Sequence, residues 1–151
     1  SSAVGEVNVV AKMRDVQAVI GGEGNGGVIL PELHYGRDAL VGIALFLTHL
    51  AKSGKTCSEL KNQYPQYYMA KHKIALSTAL NPDTVLEKVK QLFANERLNT
   101  EDGVRIDMRG GWVHLRRSNT EPIIRVYAEA GSQEQADELA LGMVSKVSEI
   151  L

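Results

Sequence analysis

A meander of short strands between residues 104 and 128 constrains the fold more than any other feature of this sequence. The first strand alternates apolar and charged residues, a pattern typical of a strand with one buried face, and its apolar positions are Val104, Ile106 and Met108. Gly110-Gly111 then predicts a tight hairpin turn, and further strands are predicted at 112–117 and 123–128. Connections this short join antiparallel strands, so the sequence predicts an antiparallel sheet.

The segments on either side of this meander predict the rest of an α+β unit. One more strand is predicted at 73–77, and Asn81-Pro82 begins a helix with proline at its first position. Ser132 and Gln135 form the capping pattern of a last helix. The predicted fold of this part is therefore a four-stranded antiparallel sheet with two helices, which suits about 80 residues.

The first part of the chain has a different, α/β character. A short helix near Val7–Ala11 and a buried strand at Val16–Ile20 precede a glycine-rich loop. Asp38 can cap a helix that runs to Ala51. Because that helix is apolar on most sides, we expect it to be largely buried.

A polar and aromatic stretch with a proline, residues 62–68, lies between the two parts. On composition alone we place the domain boundary there and predict domains at 1–66 and 67–151. The tyrosines of the stretch are interpreted as packing at the junction rather than as a platform for stacking bases, because no basic groove surrounds them in the sequence.

The charge balance and the cysteine count exclude several classes of function. The chain has 17 Lys and Arg against 18 Asp and Glu, a formal charge of −1, which argues against nucleic acid or an anionic membrane as the main partner. No apolar run approaches the roughly 20 residues of a membrane span. The single Cys57 excludes an internal disulfide framework and a multi-cysteine metal site, and a reducing cytoplasmic setting is the default expectation.

The glycine-rich loop is the first candidate site. Five of the seven residues 21–27 are glycines, which we interpret as room for a ligand near the backbone rather than as packing. Glu23 and Asn25 flank one glycine, and a carboxylate beside an amide offers acceptors and donors suited to neighbouring sugar hydroxyls. A tight turn with two solvated polar residues is the alternative. Neither the Walker P-loop nor the dinucleotide fingerprint fits this spacing.

The segment 116–125 is the second candidate site. Between residues 103 and 125 five arginines face two carboxylates, a local charge of +3 in a chain that is nearly neutral. Ser118, Asn119 and Thr120 lie between two predicted strands, where side chains and backbone N–H groups can converge on one oxyanion. Arg116 and Arg125 add the planar donors that suit phosphate. An ordinary polar turn is the alternative.

The remaining candidates are weaker. The four histidines have no metal-ligand spacing, and Cys57 has no His or second Cys to support a nucleophile. Lys71-His72-Lys73 is a small basic cluster that is interpreted as solvated, although it could edge a phosphate site.

Together, the two loops resemble those of the α-D-phosphohexomutases, which include phosphomannomutases, phosphoglucomutases and phosphoglucosamine mutases. Residues 22–27, Gly-Glu-Gly-Asn-Gly-Gly, are similar to the family's sugar-binding loop. Residues 116–122, Arg-Arg-Ser-Asn-Thr-Glu-Pro, are similar to its C-terminal phosphate-binding loop, and 35–38 to a helix start. Two positions depart from the pattern: Asn25 stands where many members have Ser, and Gly27 where many have His.

The resemblance implies a part of a larger enzyme. Family members have four domains, and this chain resembles the C-terminal portion of the third, sugar-binding domain (1–66) followed by the fourth, phosphate-binding domain (67–151), which has a fold like the TATA-box-binding protein. The first domain carries a catalytic phosphoserine and the second a Mg²⁺ loop. Neither a Thr-Ala-Ser-His-Asn-Pro-like segment nor an Asp-x-Asp-x-Asp/Gly-like loop is present in the sequence. We therefore expect no catalytic residue and no metal site in this chain.

The implied function is the interconversion of hexose 1-phosphate and hexose 6-phosphate through a bisphosphorylated sugar. The complete enzyme would use Mg²⁺ and a hexose 1,6-bisphosphate, and the partners of this chain would be the hexose phosphate and the missing N-terminal domains. Glu23 and Asn25 would bind sugar hydroxyls. The phosphate would be bound by five residues, of which Arg125 is the weaker candidate: Arg116, Ser118, Asn119, Thr120 and Arg125.

Two other hypotheses remain open at this point. The chain could be a stand-alone sugar-phosphate-binding or regulatory module without catalysis. It could also be an anion-binding α+β domain that serves a partner protein, although a site for phosphate alone gains nothing from the Glu23 carboxylate.

Overall fold

The computed structural model describes residues 1–77, 80–118 and 120–151. The chain divides into two compact units, Ser1–Pro65 and Gln66–Leu151, and each is described by itself. Among the helices of the described residues, none has the length and apolar character that crossing a membrane requires.

The first unit consists of three helices and a very short antiparallel ribbon. Its elements are α1 (Glu6–Asp15), β1 (Gly21–Gly22), β2 (Val28–Ile29), α2 (Ala39–Ser53) and α3 (Cys57–Lys61). Val9 and Met13 of α1 pack against Ile29 of β2, and these three form its small buried cluster.

The buried strand predicted at Val16–Ile20 is wrong. Helix α1 continues to Asp15 and then closes with a left-handed residue, Gln17, whose φ is 52°. The N–H of Ala18 donates to the carbonyl of Met13 at 2.9 Å, which is the bond pattern of a Schellman helix ending. The chain therefore turns where a strand was expected, and Val19 is left 81% exposed.

Helix α2 begins at the predicted cap and runs to Ser53 rather than Ala51, and its predicted burial is wrong. Asp38 caps the helix by accepting from the N–H of Val41 at 3.0 Å, and Gly54 ends it with a φ of 64°. No residue of α2 is buried, and Leu40 is 78% exposed. The reason is that the described part of the first unit holds only a two-residue ribbon, which offers no sheet for an apolar helix to cover.

The second unit is a five-stranded antiparallel sheet with two helices. Its elements are β3 (Tyr68–Ala75), α4 (Pro82–Leu92), β4 (Arg97–Asn99), β5 (Val104–Met108), β6 (Gly111–Arg117), β7 (Ile123–Ala130) and α5 (Gln133–Glu149). The strand order is β3-β7-β6-β5-β4. The prediction of an antiparallel sheet with two helices is confirmed, but the strand number is five rather than four. Strand β4 was missed because three residues are too few to show an alternation.

Both helices share one core with the sheet. Helix α5 packs on β3, β6 and β7, and α4 packs on β5 and β6. The strands contribute alternate residues to this core, and those with no exposed surface are Val104, Ile106, Val113, Leu115, Ile124, Val126 and Ala128. The residues between them lie on the opposite face, which we call the open face.

The hairpin between β5 and β6 differs by one residue from the predicted turn. Met108 pairs with Gly111, so the two turn residues are Arg109 and Gly110. Gly110 takes a φ of 90°, and Gly111 is already part of β6, where it lies opposite Ala130.

Candidate functional site

The glycine-rich loop joins β1 to β2 and is held by its own hydrogen bonds. The N–H of Glu23 donates to the carbonyl of Gly27, and the N–H of Gly26 donates to the carbonyl of Glu23, both at 3.1 Å. The N–H of Gly27 also donates to Asn25 Oδ1 at 3.0 Å. The loop is therefore a closed turn with a defined shape rather than a loose connection.

Three of its five glycines have a packing role, so that part of the sequence interpretation is wrong. A Cβ at Gly21 would lie 2.1 Å from Met13 Sδ, one at Gly22 would lie 2.4 Å from the carbonyl oxygen of Gly27, and one at Gly27 would lie 2.7 Å from Arg37 Cδ. A Cβ added at Gly24 or at Gly26 would have no atom within 4 Å. Gly26 has a positive φ of 91°, so Gly24 is the one glycine of this loop with both open space and an ordinary φ.

Glu23 and Asn25 are neighbours in space but have different surroundings. Glu23 is half-buried, and its Oε1 accepts from the N–H of Gly5 at 3.0 Å, which ties the loop to the start of α1. Its Oε2 accepts only a long 3.5 Å bond from Asn25 Nδ2, and Asn25 is exposed. One carboxylate oxygen and one amide group therefore face solvent side by side, which is a donor and acceptor pair for adjacent hydroxyls.

A cleft of about 540 Å³ opens beside Asn25. It is bordered by the N-terminal end of α2 and by Arg37, whose Nε donates to Glu6 Oε2 at 2.8 Å. The N–H of Val41 holds the pKa of the Asp38 carboxyl below its ordinary value of 3.8, so this group is ionised at neutral pH. Glu6 and Arg37 were not candidates in the sequence analysis, because their contact joins residues 31 positions apart.

The described part of the second loop is anchored at both ends. The N–H of Ser118 donates to the carbonyl of Ile123 at 3.0 Å, and the N–H of Leu76 donates to the carbonyl of Pro122 at 2.9 Å. The second bond attaches the loop to the chain just beyond β3. Asn119, a predicted phosphate-binding residue, lies outside the described residues.

Three of the predicted phosphate-binding residues converge at this loop. Arg125 Nη2 donates to Ser118 Oγ at 3.4 Å, and the hydroxyls of Ser118 and Thr120 are also 3.4 Å apart. The N–H of Thr120 donates to Ser118 Oγ at 3.4 Å. Hydrogen bonds this long are weak, so the hydroxyls, the amide and the guanidinium remain available to an oxyanion.

The two consecutive arginines of β6 have different surroundings. Arg116 lies on the open face directly opposite Arg125, with its Nη1 4.0 Å from Asp102 Oδ2. Arg117 lies on the helix-covered face and donates to Asp83 Oδ2 at 3.1 Å, at the start of α4. The structure therefore places Arg116, and not Arg117, on the same face as Arg125, which donates to Ser118.

Gly103 fixes the backbone beneath Arg116. Its φ is 71°, and a Cβ there would lie 2.2 Å from the carbonyl oxygen of Leu115 and 2.9 Å from Arg116 Cα. Only glycine permits both the backbone conformation and this close approach. The start of β5 is thereby held against the strand that carries Arg116.

The described residues offer no metal site: no group of three or more His, Cys, Asp and Glu among them is arranged to hold an ion.

Comparison with known proteins places this fold and these loops in one family. Residues 1–68 match the model of phosphoglucomutase/phosphomannomutase, alpha/beta/alpha domain III. Residues 76–146 match that of phosphoglucomutase/phosphomannomutase, C-terminal domain. The chain therefore belongs to the phosphoglucomutase/phosphomannomutase family and corresponds to its C-terminal part, which confirms the resemblance found from the two loops.

Individual relatives agree with this assignment. A phosphoglucomutase/phosphomannomutase of Thermococcus kodakarensis is 40% identical over 143 residues, which are 93% of this chain and 31% of the relative. A phosphoglucosamine/phosphogalactosamine mutase of Sulfurisphaera tokodaii is 36% identical over 138 residues, 90% of this chain and 30% of the relative. The chain thus spans just under a third of the length of these relatives.

A solved structure also has this fold. The crystal structure of a phosphoglucomutase/phosphomannomutase family protein of Burkholderia thailandensis matches with a TM-score of 0.70 and 26% identity. The match covers 95% of this chain and 32% of that protein.

Proposed function

We propose that this chain is the substrate-binding C-terminal part of a phosphohexomutase, an enzyme that interconverts hexose 1-phosphate and hexose 6-phosphate through a bisphosphorylated sugar. The observation that carries the proposal is the convergence of Ser118, Thr120 and Arg125 with Arg116 at one end of the sheet. The relatives named as mutases support the choice of a sugar phosphate as the ligand.

In this proposal, residues 1–66 are the C-terminal portion of the third mutase domain and 67–151 the fourth. The exposed apolar surface of α2 supports the first assignment. Leu40, Ile43 and Leu47 are 78%, 54% and 53% exposed, and side chains of this kind are normally covered in a complete domain. The rest of an α/β/α domain would supply that cover.

The second loop would hold the phosphate that does not react. A phosphate monoester carries about −1.5 to −2 charges at neutral pH and three acceptor oxygens. The guanidinium groups of Arg116 and Arg125 match that charge, while the Ser118 and Thr120 hydroxyls and the Asn119 side chain complete the donors. A site that recognises only the phosphate suits a mutase, because the same sugar must bind in two orientations and present either end to this loop.

The first loop would hold the sugar ring. The Glu23 Oε2 atom, which accepts only a long bond from Asn25, and the amide of Asn25 would bind adjacent hydroxyls of the sugar. A site for phosphate alone cannot distinguish such hydroxyls. A loop that holds the sugar ring positions its substituents for reaction, and positioning of this kind contributes several kcal/mol to lowering a barrier, roughly 7–11 at its upper limit.

Catalysis itself would need a phosphorylated serine and Mg²⁺, which the resemblance to the family assigns to other domains. No described cluster fits a metal ion. The proposal therefore assigns Mg²⁺ and the phosphorylated serine of the family to its first two domains, and a hexose 1,6-bisphosphate to the complete enzyme as activator. This chain alone would bind substrate without turning it over.

An NMR titration of the 151-residue chain with inorganic phosphate, glucose 1-phosphate and mannose 1-phosphate tests the binding roles. We expect shifts at Ser118 and Thr120 with all three ligands, and shifts at Glu23 and Asn25 only with the two sugar phosphates. The ligand concentration should be high enough to saturate a site with a millimolar Kd. The absence of shifts at the second loop under those conditions would contradict its assignment as a phosphate site.

An assay of the complete parent enzyme tests the reaction. With Mg²⁺ and glucose 1,6-bisphosphate it should interconvert at least one pair of hexose 1- and 6-phosphates. Binding by this chain without any such activity in the parent would instead favour a regulatory module.

A further inference from the structure

Three cations lie side by side on the open face of the sheet. Lys73 of β3 is directly opposite Arg125 of β7, and Arg125 is directly opposite Arg116 of β6. The Cβ atoms of directly opposed residues are about 4.5–5.5 Å apart, and like charges in such positions destabilise a sheet. Stability of the sheet therefore does not account for this row.

The charges of the row are incompletely balanced. Arg125 donates to Glu121 Oε2 at 3.4 Å, and Arg116 lies 4.0 Å from Asp102. Lys73 is exposed, and its ammonium group has no hydrogen bond or ion pair among the described residues. One cation of the three thus lacks a carboxylate, and it is the one on strand β3.

A groove connects Lys73 to the second loop. Its volume is about 470 Å³, and Lys73 and Arg125 line it together with Glu121 and Tyr127. The groove therefore runs along β3 and β7 up to the same Arg125 that donates to Ser118. An oxyanion bound at Ser118 would lie beside the end of the groove that Arg125 and Lys73 line.

The neighbouring row on the same face is much less charged. Two residues away on β3, Lys71 lies opposite Tyr127, and Tyr127 lies opposite His114. Lys71 is exposed like Lys73 and lines the same groove. The positive charge is therefore concentrated in the row that meets the second loop, and Lys71 offers a matched comparison.

We propose that Lys73 is a further phosphate-binding residue, which acts with Arg125 and Arg116 on the non-reacting phosphate of a hexose phosphate. This rests on the proposed function and adds a residue from β3, outside the sequence motif of the loop. Lys73 supplies the third positive charge without a bond in a fixed direction, because an ammonium group acts as a point charge on a flexible stem.

The experiment is a titration of the 151-residue chain with inorganic phosphate and with glucose 1-phosphate, in the wild type and the variants Lys73→Gln, Lys73→Arg and Lys71→Gln. A unit charge at several ångströms from a dianion near the surface changes affinity about three- to tenfold. We expect Kd to rise by that factor in Lys73→Gln, to stay within about twofold in Lys73→Arg, and to change less than about twofold in Lys71→Gln.

Thermal unfolding gives a second readout that separates binding from folding. Without phosphate, Lys73→Gln should keep or raise the Tm, because it removes a like-charge contact with Arg125. With saturating phosphate, its Tm should rise less than that of the wild type, since weaker binding to the native state stabilises it less.

The outcomes distinguish this inference from the proposed function. If the wild type binds phosphate and Arg116→Ala does not, equal changes of Kd in Lys73→Gln and Lys71→Gln would overturn the role of Lys73. The proposed function would then still stand. A wild-type chain that binds neither ligand would overturn both proposals.

Discussion

Arg116 and Arg125 face each other across β6 and β7, on the side of the sheet that the helices leave open. Arg117, the next residue, lies opposite the fully buried Ile124 and extends towards Asp83 on the helix-covered side. Because side chains alternate along a strand, the two consecutive arginines extend from opposite faces of this sheet. The position of each on the pleat therefore separates the proposed phosphate-binding residue, Arg116, from Arg117, which pairs with Asp83.

Arg116→Ala should weaken phosphate binding far more than Arg117→Ala. A hydrogen bond to a charged group contributes about 1.5–3 kcal/mol, so we expect Kd to rise about ten- to hundredfold for Arg116→Ala. Arg117→Ala removes an exposed ion pair with Asp83 and should change Kd less than about threefold. NMR titration with inorganic phosphate measures both, and equal losses would contradict the assignment of the two faces.

Asn25→Ala should affect sugar recognition and leave phosphate binding intact. Its amide is the exposed donor of the glycine-rich loop, whereas Glu23 is tied to Gly5. We expect the affinity for inorganic phosphate to be unchanged and the additional shifts caused by glucose 1-phosphate to disappear at residues 23–27. Asn62→Ala, at an exposed asparagine that ends α3, is the control and should alter neither.

Gly103→Ala and Gly142→Ala should change stability in opposite directions. Gly103 has a φ of 71° and no room for a Cβ, so we expect the alanine to cost about 1–3 kcal/mol or more. Gly142 lies on α5, where an added Cβ would have no other atom within 4 Å, and alanine there should stabilise by about 0.5–1 kcal/mol. Denaturant unfolding measures both, and a Gly103→Ala protein as stable as the wild type would contradict the close approach to Leu115.

Acid should weaken helix α2 through its cap. The N–H of Val41, and then the His34 side chain, hold the pKa of Asp38 below 3.8. A carboxyl whose pKa is lowered by folding stabilises the folded state above the unfolded value, and that contribution is lost as pH falls through the folded pKa. We expect Asp38→Asn to remove this part of the acid sensitivity, because Asn caps helices as well as Asp does.

The measurement for Asp38 is a carboxyl-detected NMR titration below pH 5, with helicity followed alongside. Glu59 titrates in the same direction, since the N–H of Thr56 holds its pKa below 4.5, so Glu59→Gln is needed to isolate the Asp38 effect. A folded pKa of Asp38 at or above 3.8 would disprove the capping argument.

Leu40→Lys should be tolerated in this chain and damaging in the complete enzyme. Leu40 is 78% exposed here, so we expect a stability change within about 0.5 kcal/mol, against about 2–5 kcal/mol for Ile29→Ala at a residue that is 1% exposed. If the rest of the third domain covers α2, Leu40→Lys will lower the folding stability of the complete enzyme several-fold more than that of this chain. Equal tolerance in both proteins, by thermal unfolding, would argue against that domain assignment.

Local patterns in the sequence predicted most of the elements, because each has a short-range cause. The alternation at 104–108 marks a half-buried strand, and the caps at Asn81 and Ser132 begin α4 and α5 through bonds two or three residues ahead. In the same way, the loop motif brought Ser118, Thr120 and Arg125 forward as candidates, and the structure places them together.

Features that depend on distant residues could not be predicted in this way. The apolar pattern of α2 shows that it can be buried, but not whether a covering element is present. For Lys73 the sequence indicates only a solvated cluster that could edge a phosphate site, because its position opposite Arg125 depends on the pairing of residues that are distant in the chain. Strand β4 owes its existence to pairing with β5 rather than to its own three residues.

The register of β6 makes the arginine pair sensitive to where a residue is inserted. A residue added in the Arg109-Gly110 turn lies outside the pairing and leaves both side chains in place. A residue added earlier within β6 would exchange the faces of all later side chains. In such a slip Leu115 would stand opposite Arg125 and Arg116 would take the place of Arg117, so the open face would lose its second guanidinium while the side facing Asp83 kept one.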